Sequence, residues 1–341
     1  MQAELTEYYR LLAVLESQRT TYTCDDAANY LNLRKLYLWV QEPLERMKWL
    51  AVITDLVKNL KGGAICSAIN TYVLNGSPAT KQFISRILKE VSTPILSMIK
   101  TWMLAGEIND PFKEFFVETD PNVGDDRLWT EKYRLNYVMI PAFLTNGLAN
   151  KILQTGKCVN FIRRCCDEQD WILDVSLQAP FQAEQHDLEI NKLKQWVERA
   201  HEKTNKQLLN ILFKKFQLKG HCTHIRKYLL MAQGDLMEYL IDLLADELQK
   251  PASEIYKHTM RAYLDTAIRS SNAQFHDQEF VSRLDVSLLP PQDKDRGWET
   301  FLLDYKVSKP NTVSPLPTIF TEEVMTRYKR IFSFMLKLKK I

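Results

Sequence analysis

The stretch His224–Leu244, HIRKYLLMAQGDLMEYLIDLL, decides the fold class that we predict for this chain. Its apolar residues recur at spacings of three and four, which keeps them on one side of an α-helix at about 100° per residue. The triplet Gln233-Gly234-Asp235 interrupts the pattern, because Gly costs roughly 1 kcal/mol relative to Ala inside a helix and Asp is a good N-cap. We therefore expect two helical halves joined by either a kink or a short turn. A single core helix with one tolerated glycine is the alternative interpretation.

The same helical spacing extends outward from this stretch over most of the chain. Its units of about 10–15 residues are joined by short turns, as is typical of helical bundles. Only 10 of the 341 residues are Gly. One segment departs from the rule, since Trp298–Val307 (WETFLLDYKV) alternates in a way that predicts a strand or an extended arm. The predicted class is all-α with one short β-like segment near residues 298–307.

Helix boundaries are expected where Pro, Gly and capping residues interrupt the apolar spacing. One helix should end near Pro43, and residues 79–91 and 94–105 should form a pair divided at Pro94. The residues Trp129, Tyr133, Tyr137 and Ile140 predict a helical stripe that Pro141 cuts. Further helices are predicted over Leu148–Cys166, His186–Leu218 with Gly220 as its end, Ser253–Ala273 with Ser253 as its cap, and Asp277–Leu284.

Two segments bear on how the chain is divided. Residues 167–186 are the least patterned part, so they are the candidate linker. The last helix, capped by Thr321, is apolar nearly all round, which predicts neighbours on several sides. We expect that residues after Ile341 in a longer protein cover this helix.

Composition excludes several classes of function. The 45 basic and 42 acidic residues give a net charge of +3, which supports neither a nucleic-acid-binding nor a membrane-binding surface. No apolar run reaches the length of a transmembrane helix of about 18 residues, and the N-terminal residues do not resemble a secretory signal. The six cysteines are scattered within helical patterns, which indicates a reduced cytosolic protein.

Three groups of residues are candidates for carrying chemistry. His221, Cys222 and His224 could share a helix face as metal ligands, but no second ligand pair follows at a suitable spacing. Arg163 and Arg164 could lower the thiol pKa of the adjacent Cys165-Cys166 pair, yet buried thiols are the simpler interpretation. Thr155-Gly156-Lys157 lacks the earlier glycine of a phosphate loop. The sequence predicts no enzyme and no cofactor.

Aromatic residues are concentrated in the segment Asp110–Thr145, on both sides of an acidic loop. Phe112, Phe115 and Phe116 precede the loop, and Trp129 follows it. Such rings serve either as a core or as interface anchors. Core packing is the favoured interpretation.

An ordered set of segments across nearly the whole chain resembles the gamma-tubulin complex component family, the GRIP-motif proteins. The order and spacing of the segments, rather than any single one, make the resemblance specific. The segments are TEYYRLLAVLESQ, LRKLYLWVQEP, KGGAICSAINTYVLNG, EINDPFKEFFVETDP, DRLWTEKYRLNYVMIPAFL, KYLLMAQGDLMEYLIDLL, SSNAQF, RLDVSLL and GWETFLLDYKV.

The resemblance implies an elongated all-α rod built from several helical bundles. Residues 1–185 would be the later part of the N-terminal domain, the first GRIP motif, which packs laterally against neighbouring components. Residues 186–341 would be the early, truncated part of the C-terminal domain, the second GRIP motif, which binds gamma-tubulin. The implied partners are gamma-tubulin, component 2 and other family members, with no nucleic acid and no membrane. The implied role is to template microtubule nucleation in the cytoplasm and cytoskeleton, at a centrosome, spindle pole or other microtubule-organizing centre.

The resemblance, together with polar joints that interrupt apolar helices, suggests two sets of contact residues. The set expected at or near gamma-tubulin is Tyr228, Gln233, Asp235, Asn272, Gln274, Phe275, Asp304, Tyr305 and Lys306. The set expected at lateral contacts is Glu118, Asp120, Asp125, Asp126 and Trp129. An α-helical adaptor or tethering scaffold of the cullin or exocyst type is the alternative function.

Overall fold

The computed structural model is dominated by α-helices, which confirms the predicted all-α class. The residues that it describes are 2–21, 32–73, 78–124, 127–166, 168, 186–290, 296–307 and 314–339. The helices of the first half are α1 (Gln2–Thr21), α2 (Leu33–Val57), α3 (Gly62–Val73), α4 (Pro78–Ala105) and α5 (Asn146–Cys165). Those of the second half are α6 (His186–Asn210), α7 (Leu218–Tyr228), α8 (Gly234–Leu248), α9 (Lys257–Ser270), α10 (Gln278–Val281), α11 (Gly297–Thr300), α12 (Leu316–Ile319) and α13 (Glu322–Lys339).

The strands in the described residues form two antiparallel pairs. They are β1 (Val117–Thr119) with β2 (Tyr133–Leu135), and β3 (Leu284–Leu288) with β4 (Phe301–Tyr305). The extended segment predicted near residues 298–307 is therefore present as β4, preceded by the short helix α11. The helix predicted over Asp277–Leu284 is wrong beyond Val281, because Leu284 already pairs with Tyr305 in the β3–β4 ladder.

Two prolines predicted to divide helices lie inside continuous ones. Pro43 is within α2 and Pro94 is within α4. In α4 the hydroxyls of Ser92 and Thr93 both donate to the carbonyl of Lys89, next to the backbone position where proline lacks an N–H. The buried face of α4 continues on both sides of Pro94, so packing keeps the helix intact despite the proline.

The helical stripe predicted from Trp129 to Ile140 is also wrong. This segment consists of a π-helical turn (Leu128–Lys132), strand β2, and a 3-10 turn (Tyr137–Met139). Its apolar residues are spaced like a helix, but the backbone of Tyr133–Leu135 is used in pairing with β1. Strand pairing here overrides the spacing.

The long helix predicted over His186–Leu218 breaks earlier than expected. The α-helix α6 ends at Asn210 and continues as a π-helical turn, and Gln217 then adopts a left-handed conformation with φ of 46°. Gly220, predicted to end this helix, lies inside α7. The residue that separates the end of this helical run from α7 is therefore Gln217 and not the glycine. Helix α6 is also buried at Thr204, which is fully inaccessible to solvent.

The contacts between residues divide the chain into two compact units. The first contains Met1–Asp120, Tyr133–Gly156 and Asp174–His201, and the second contains Pro121–Lys132, Lys157–Leu173 and Glu202–Ile341. The candidate linker falls almost entirely on residues outside the described part of the chain. The division at residues 185/186 that we expected from the sequence stays a prediction.

In the second unit, the stretch His224–Leu244 belongs to two helices joined by a short turn, rather than by a kink. Helix α7 ends at Tyr228, and α8 begins at Gly234. In the connecting segment Met231 has a φ of 52°. Gly234 does not have a positive φ, and a side chain there would meet no other atom within 4 Å. The left-handed residue of the joint is therefore Met231 and not the glycine.

Helices α9, α11, α12 and α13 pack with this pair and with the β3–β4 hairpin in one hydrophobic core. Helix α9 begins at Lys257, so the predicted cap at Ser253 is wrong. Thr321 does cap α13, because its hydroxyl accepts the N–H of Val324 at 3.4 Å. The side of α13 that faces away from this core exposes apolar residues, and Phe334 has 63% of its surface accessible to solvent.

Among the described helices, none combines the length and apolar character needed to cross a bilayer.

Candidate protein-binding surface

Asp235 joins the start of α8 to the 3-10 turn Asn272–Phe275. Its carboxylate accepts the backbone N–H of Asn272 at 2.9 Å and the side-chain amide of Gln233 at 2.7 Å. Burial opposes ionisation of Asp235, but these hydrogen bonds outweigh it and hold the pKa of the carboxyl below its usual value. The structure thus brings together Gln233, Asp235 and the 272–275 turn, three parts of the predicted gamma-tubulin set.

His276 fixes the other side of the same turn. Its Nε2 lies 3.0 Å from Nζ of Lys227, and its Nδ1 lies 2.9 Å from the hydroxyl of Tyr228. An ammonium group can only donate, so Nε2 accepts and the proton of the imidazole sits on Nδ1. Burial and the charge of Lys227 lower the pKa of His276, which favours this neutral form.

A row of aromatic and imidazole rings runs from this turn to strand β4. We call it the aromatic row; its members in order are Tyr228, His276, His224, Phe280, His221 and Tyr305. The His224 ring stacks on Phe280 with a centroid distance of 4.3 Å, and its Nδ1 donates to the carbonyl of Gly220 at 2.8 Å. His221 meets the same Phe280 ring edge-on at 5.0 Å. The row connects two predicted site residues, Tyr228 and Tyr305, that lie far apart in sequence.

The far end of the aromatic row is a buried hydrogen bond between His221 and Tyr305. Nδ1 of His221 lies 2.7 Å from the Tyr305 hydroxyl. Burial, reinforced by the charge of Arg283, lowers the pKa of His221 to about 4, so the ring is neutral at neutral pH. Burial likewise raises the pKa of Tyr305. This end of the row is a structural contact inside the core.

The predicted gamma-tubulin residues differ in exposure. Tyr228 and Tyr305 are buried, so neither presents its ring to solvent. The half-buried residues are Gln233, Asp235 and Asp304. The exposed residues are Asn272, Gln274, Phe275 and Lys306, and Phe275 has 80% of its surface accessible.

The β3–β4 hairpin carries a charged cluster that was predicted from the sequence only in part. Asp304 pairs with Lys329 at 2.9 Å, and Lys306 pairs with Asp285 at 2.7 Å. Sequence reasoning named Asp304 and Lys306 but not Asp285. The available signal is an aspartate that alternates with apolar residues in RLDVSLL, a segment for which the sequence predicts a helix only as far as Leu284.

The residues expected at lateral contacts are only partly described. Glu118 and Asp120 are exposed, and Glu118 accepts a hydrogen bond from the side chain of Asn136 at 2.8 Å. Asp125 and Asp126 lie outside the described residues. Trp129 is half-buried, with its ring 5.6 Å from that of Phe161. The neighbouring Phe115 and Phe116 are core residues, while Phe112 is exposed.

The structure shows the surroundings of the residues that were candidates for carrying chemistry. His221 and His224 belong to the aromatic row, and Cys222 is exposed. No group of three metal-ligating side chains occurs in the described part of the chain. Burial and the neighbouring Cys165 raise the pKa of Cys166 to about 12, opposite to the lowering considered from the adjacent arginines.

Both halves of the sequence match models of one protein family. Residues 1–215 match "Gamma tubulin complex component N-terminal", and residues 218–341 match "Gamma tubulin complex component C-terminal". The chain belongs to the gamma-tubulin complex component family.

Within that family the chain is similar to component 3. It is 39% identical to gamma-tubulin complex component 3 of Arabidopsis thaliana over 352 residues, covering 100% of this chain and 41% of that protein. Identity to the human component 3 is 40% over 350 residues, covering 99% of this chain and 38% of the relative. Spindle pole body component 98 of Dictyostelium discoideum is 31% identical, with 99% of this chain and 51% of the relative covered. The chain therefore spans about 40% of the length of the component 3 proteins that it matches.

Proposed function

We propose that the protein binds gamma-tubulin through the surface around the 272–275 turn. The observation that carries the proposal is the Phe275 side chain, which is 80% exposed on a turn whose first backbone N–H is held by Asp235. Exposed aromatic residues on rigid supports are typical anchors of protein interfaces. The names of the relatives support gamma-tubulin as the partner.

The polar residues beside Phe275 complete the proposed surface. Asn272 and Gln274 are exposed on the same turn and can exchange hydrogen bonds with a partner. Behind them, the buried aromatic row restricts the position of the turn through His276. Tyr228 and Tyr305 act in this proposal as supports, and Asp304 and Lys306 extend the surface along the hairpin.

Size-exclusion chromatography of the chain mixed with purified gamma-tubulin tests this proposal. The unmodified chain should elute together with gamma-tubulin, and Phe275→Ala should reduce the co-eluting fraction. Tyr256→Ala is the matched control, because Tyr256 is another exposed aromatic residue of the second unit, at 61%. Equal co-elution of the two variants would contradict the proposed anchor. Absence of co-elution with the folded, unmodified chain at micromolar concentration would contradict gamma-tubulin binding itself.

We further propose lateral contacts with component 2 and other members of the family through the first unit and the 118–129 segment. Exposed Glu118 and Asp120 are candidates there, with Asp125, Asp126 and Trp129 as the remaining members of the predicted set. Helix α2 adds an exposed apolar face, on which Leu33 is 82% accessible. Exposed apolar patches of this kind mark interaction sites.

Sedimentation of the chain with component 2 tests the lateral contact. The double variant Glu118→Lys, Asp120→Lys should weaken co-sedimentation. The control with the same charge change is Asp242→Lys, Asp246→Lys on the exposed side of α8. Equal weakening by both pairs would assign the effect to net charge alone.

Such an assembly would template microtubule nucleation, and the protein would localise in the cytoplasm at a centrosome, spindle pole or other microtubule-organizing centre. The name of one relative, spindle pole body component 98 of Dictyostelium discoideum, supports this localisation. A fluorescent fusion of the protein should concentrate at spindle poles in dividing cells. A distribution confined to membranes or diffuse cytosol would instead favour the adaptor or tether.

A further inference from the structure

Three cationic side chains converge on one buried carboxylate beside the β3–β4 hairpin. The Asp285 side chain is only 4% exposed, and its Oδ2 lies 2.7 Å from Nζ of Lys306 and 3.3 Å from Nζ of Lys257. Its Oδ1 lies 3.5 Å from the guanidinium of Arg261 and accepts the N–H of Val286 at 2.9 Å. Both oxygens of the carboxylate are therefore in use within the chain.

The arrangement leaves an excess of positive charge at the surface. Three cations share one carboxylate, which gives a local sum of two positive charges. The adjacent carboxylate of Asp304, the cross-strand neighbour of Asp285, is paired with Lys329 and does not reduce this sum. The side chains of Lys257, Arg261 and Lys306 remain 55%, 53% and 57% exposed. Each also has more N–H donors than its bond to Asp285 uses.

We propose that Lys257, Arg261 and Lys306 form a binding site for an acidic segment of a partner protein. Asp285 holds the three cations close together. Part of the entropic cost of ordering their long side chains is therefore met before a partner binds. A carboxylate placed above them would offset their mutual repulsion and accept charge-assisted hydrogen bonds. We call these three residues the cationic cradle.

Charge and size favour an acidic protein segment over the two other anionic partners. Nucleic-acid binding requires a basic patch or stripe that neutralises many phosphates, whereas this chain has a net charge of only +3. Anionic membranes are recognised by clusters of about 4–8 basic residues. The cationic cradle contains only three basic residues, and their charge matches that of a few carboxylates.

The cradle shares Lys306 with the surface proposed for gamma-tubulin, but the inference does not require gamma-tubulin as the partner, and its test does not use gamma-tubulin. Fluorescein-labelled hexaglutamate is titrated with the chain in a buffer of about 25 mM NaCl, where surface charges are weakly screened, and anisotropy is recorded. Hexaglutamine serves as the uncharged peptide. We expect binding of hexaglutamate alone, and binding roughly tenfold weaker for the triple variant Lys257→Gln, Arg261→Gln, Lys306→Gln.

The control variant Lys214→Gln, Lys219→Gln, Arg226→Gln removes the same charge from exposed positions on other elements. It should retain most of the affinity, and so should Phe275→Ala, whose effect belongs to the gamma-tubulin surface. Circular dichroism confirms that each variant is folded. Equal loss of affinity in the cradle and control variants would overturn the proposal, as would no binding by the folded, unmodified chain. Cradle-dependent binding to phosphatidylserine vesicles without binding to hexaglutamate would also overturn it, in favour of a membrane.

Discussion

Gly156 on helix α5 lies directly against the indole ring of Trp102 on helix α4. A methyl group on Gly156 would come within 1.9 Å of Cε2 of that ring. The indole also donates its N–H to the carbonyl of Ile152, one turn earlier on α5, at 3.0 Å. The glycine and the hydrogen bond together fix how closely α4 and α5 approach, so Gly156 has a role in the packing of these two helices.

We predict that Gly156→Ala destabilises the protein. The added methyl must displace the fully buried Trp102 ring, and such overpacking costs about 1–3 kcal/mol. Urea unfolding followed by circular dichroism measures the change in the free energy of unfolding. Gly147→Ala is the control on the same helix, because a side chain there meets nothing within 4 Å. A control variant as destabilised as Gly156→Ala would contradict the packing argument.

The stability of the protein should depend on pH through His221. Its pKa is lowered from 6.5 to about 4 in the folded state, so the unfolded chain binds more protons between these values. The contribution of the neutral His221 ring to the free energy of unfolding is fully present above pH 6.5 and is lost as the pH falls toward 4. His221→Gln should therefore reduce the slope of unfolding free energy against pH across this window. An unchanged slope would show that the ring does not titrate as the structure indicates.

Asp285 should make the stability of the protein depend on pH in a second range, which is more acidic than that of His221. Burial opposes its ionisation, but hydrogen bonds from Lys306, Val286 and Lys257 lower its pKa from 3.8 to about 2. Its contribution to stability is present above pH 3.8 and is lost as the pH falls through 2. Asp285→Asn should lower the unfolding free energy at pH 7 by about 1–3 kcal/mol. The same variant should remove this acid-dependent loss, which stability measurements between pH 4 and 2 would detect.

Gln217 is expected to be a site where glycine stabilises the chain. Its left-handed φ of 46° costs a residue with a side chain about 1–2 kcal/mol, partly offset by the lower backbone entropy of a non-glycine residue. Gln217→Gly should raise the free energy of unfolding by up to about 1 kcal/mol, measured in urea. Gln207→Gly, the same change within α6, should lower it by about 1 kcal/mol. Destabilisation by both variants would exclude strain at Gln217.

Much of the fold could be predicted from the spacing of apolar residues, since long amphipathic helices carry a strong periodic signal. The errors arose where tertiary contacts outweighed local preference. Pro94 did not end its helix, because α4 is packed on both sides of it. Tyr133 followed a helical spacing but belongs to a strand. Met231 and Gln217, rather than a glycine, supplied the left-handed turns of this region, and no sequence rule singles out such residues.

The candidate site was predictable only in its separate pieces. The resemblance and the polar joints indicated Asp235 and Asn272, and the structure shows them hydrogen-bonded. His276 and Phe280 were not selected, although they connect Tyr228 to the rest of the aromatic row. Nothing in their spacing along the chain indicates that contact, because it depends on how α7 and α10 pack. The exposed side chain of Phe275 could likewise be established only from the structure.

The hydrogen bond between His221 and Tyr305 also bears on the order of folding. It joins residues separated by 84 positions, so the intervening chain must close before the bond can form. Contacts of such long sequence separation form slowly relative to the helices that they connect. If the bond forms after the rate-limiting step, its loss would accelerate unfolding and leave the refolding rate nearly unchanged. The His221–Tyr305 bond would then set how long the second unit stays folded, rather than how fast it folds.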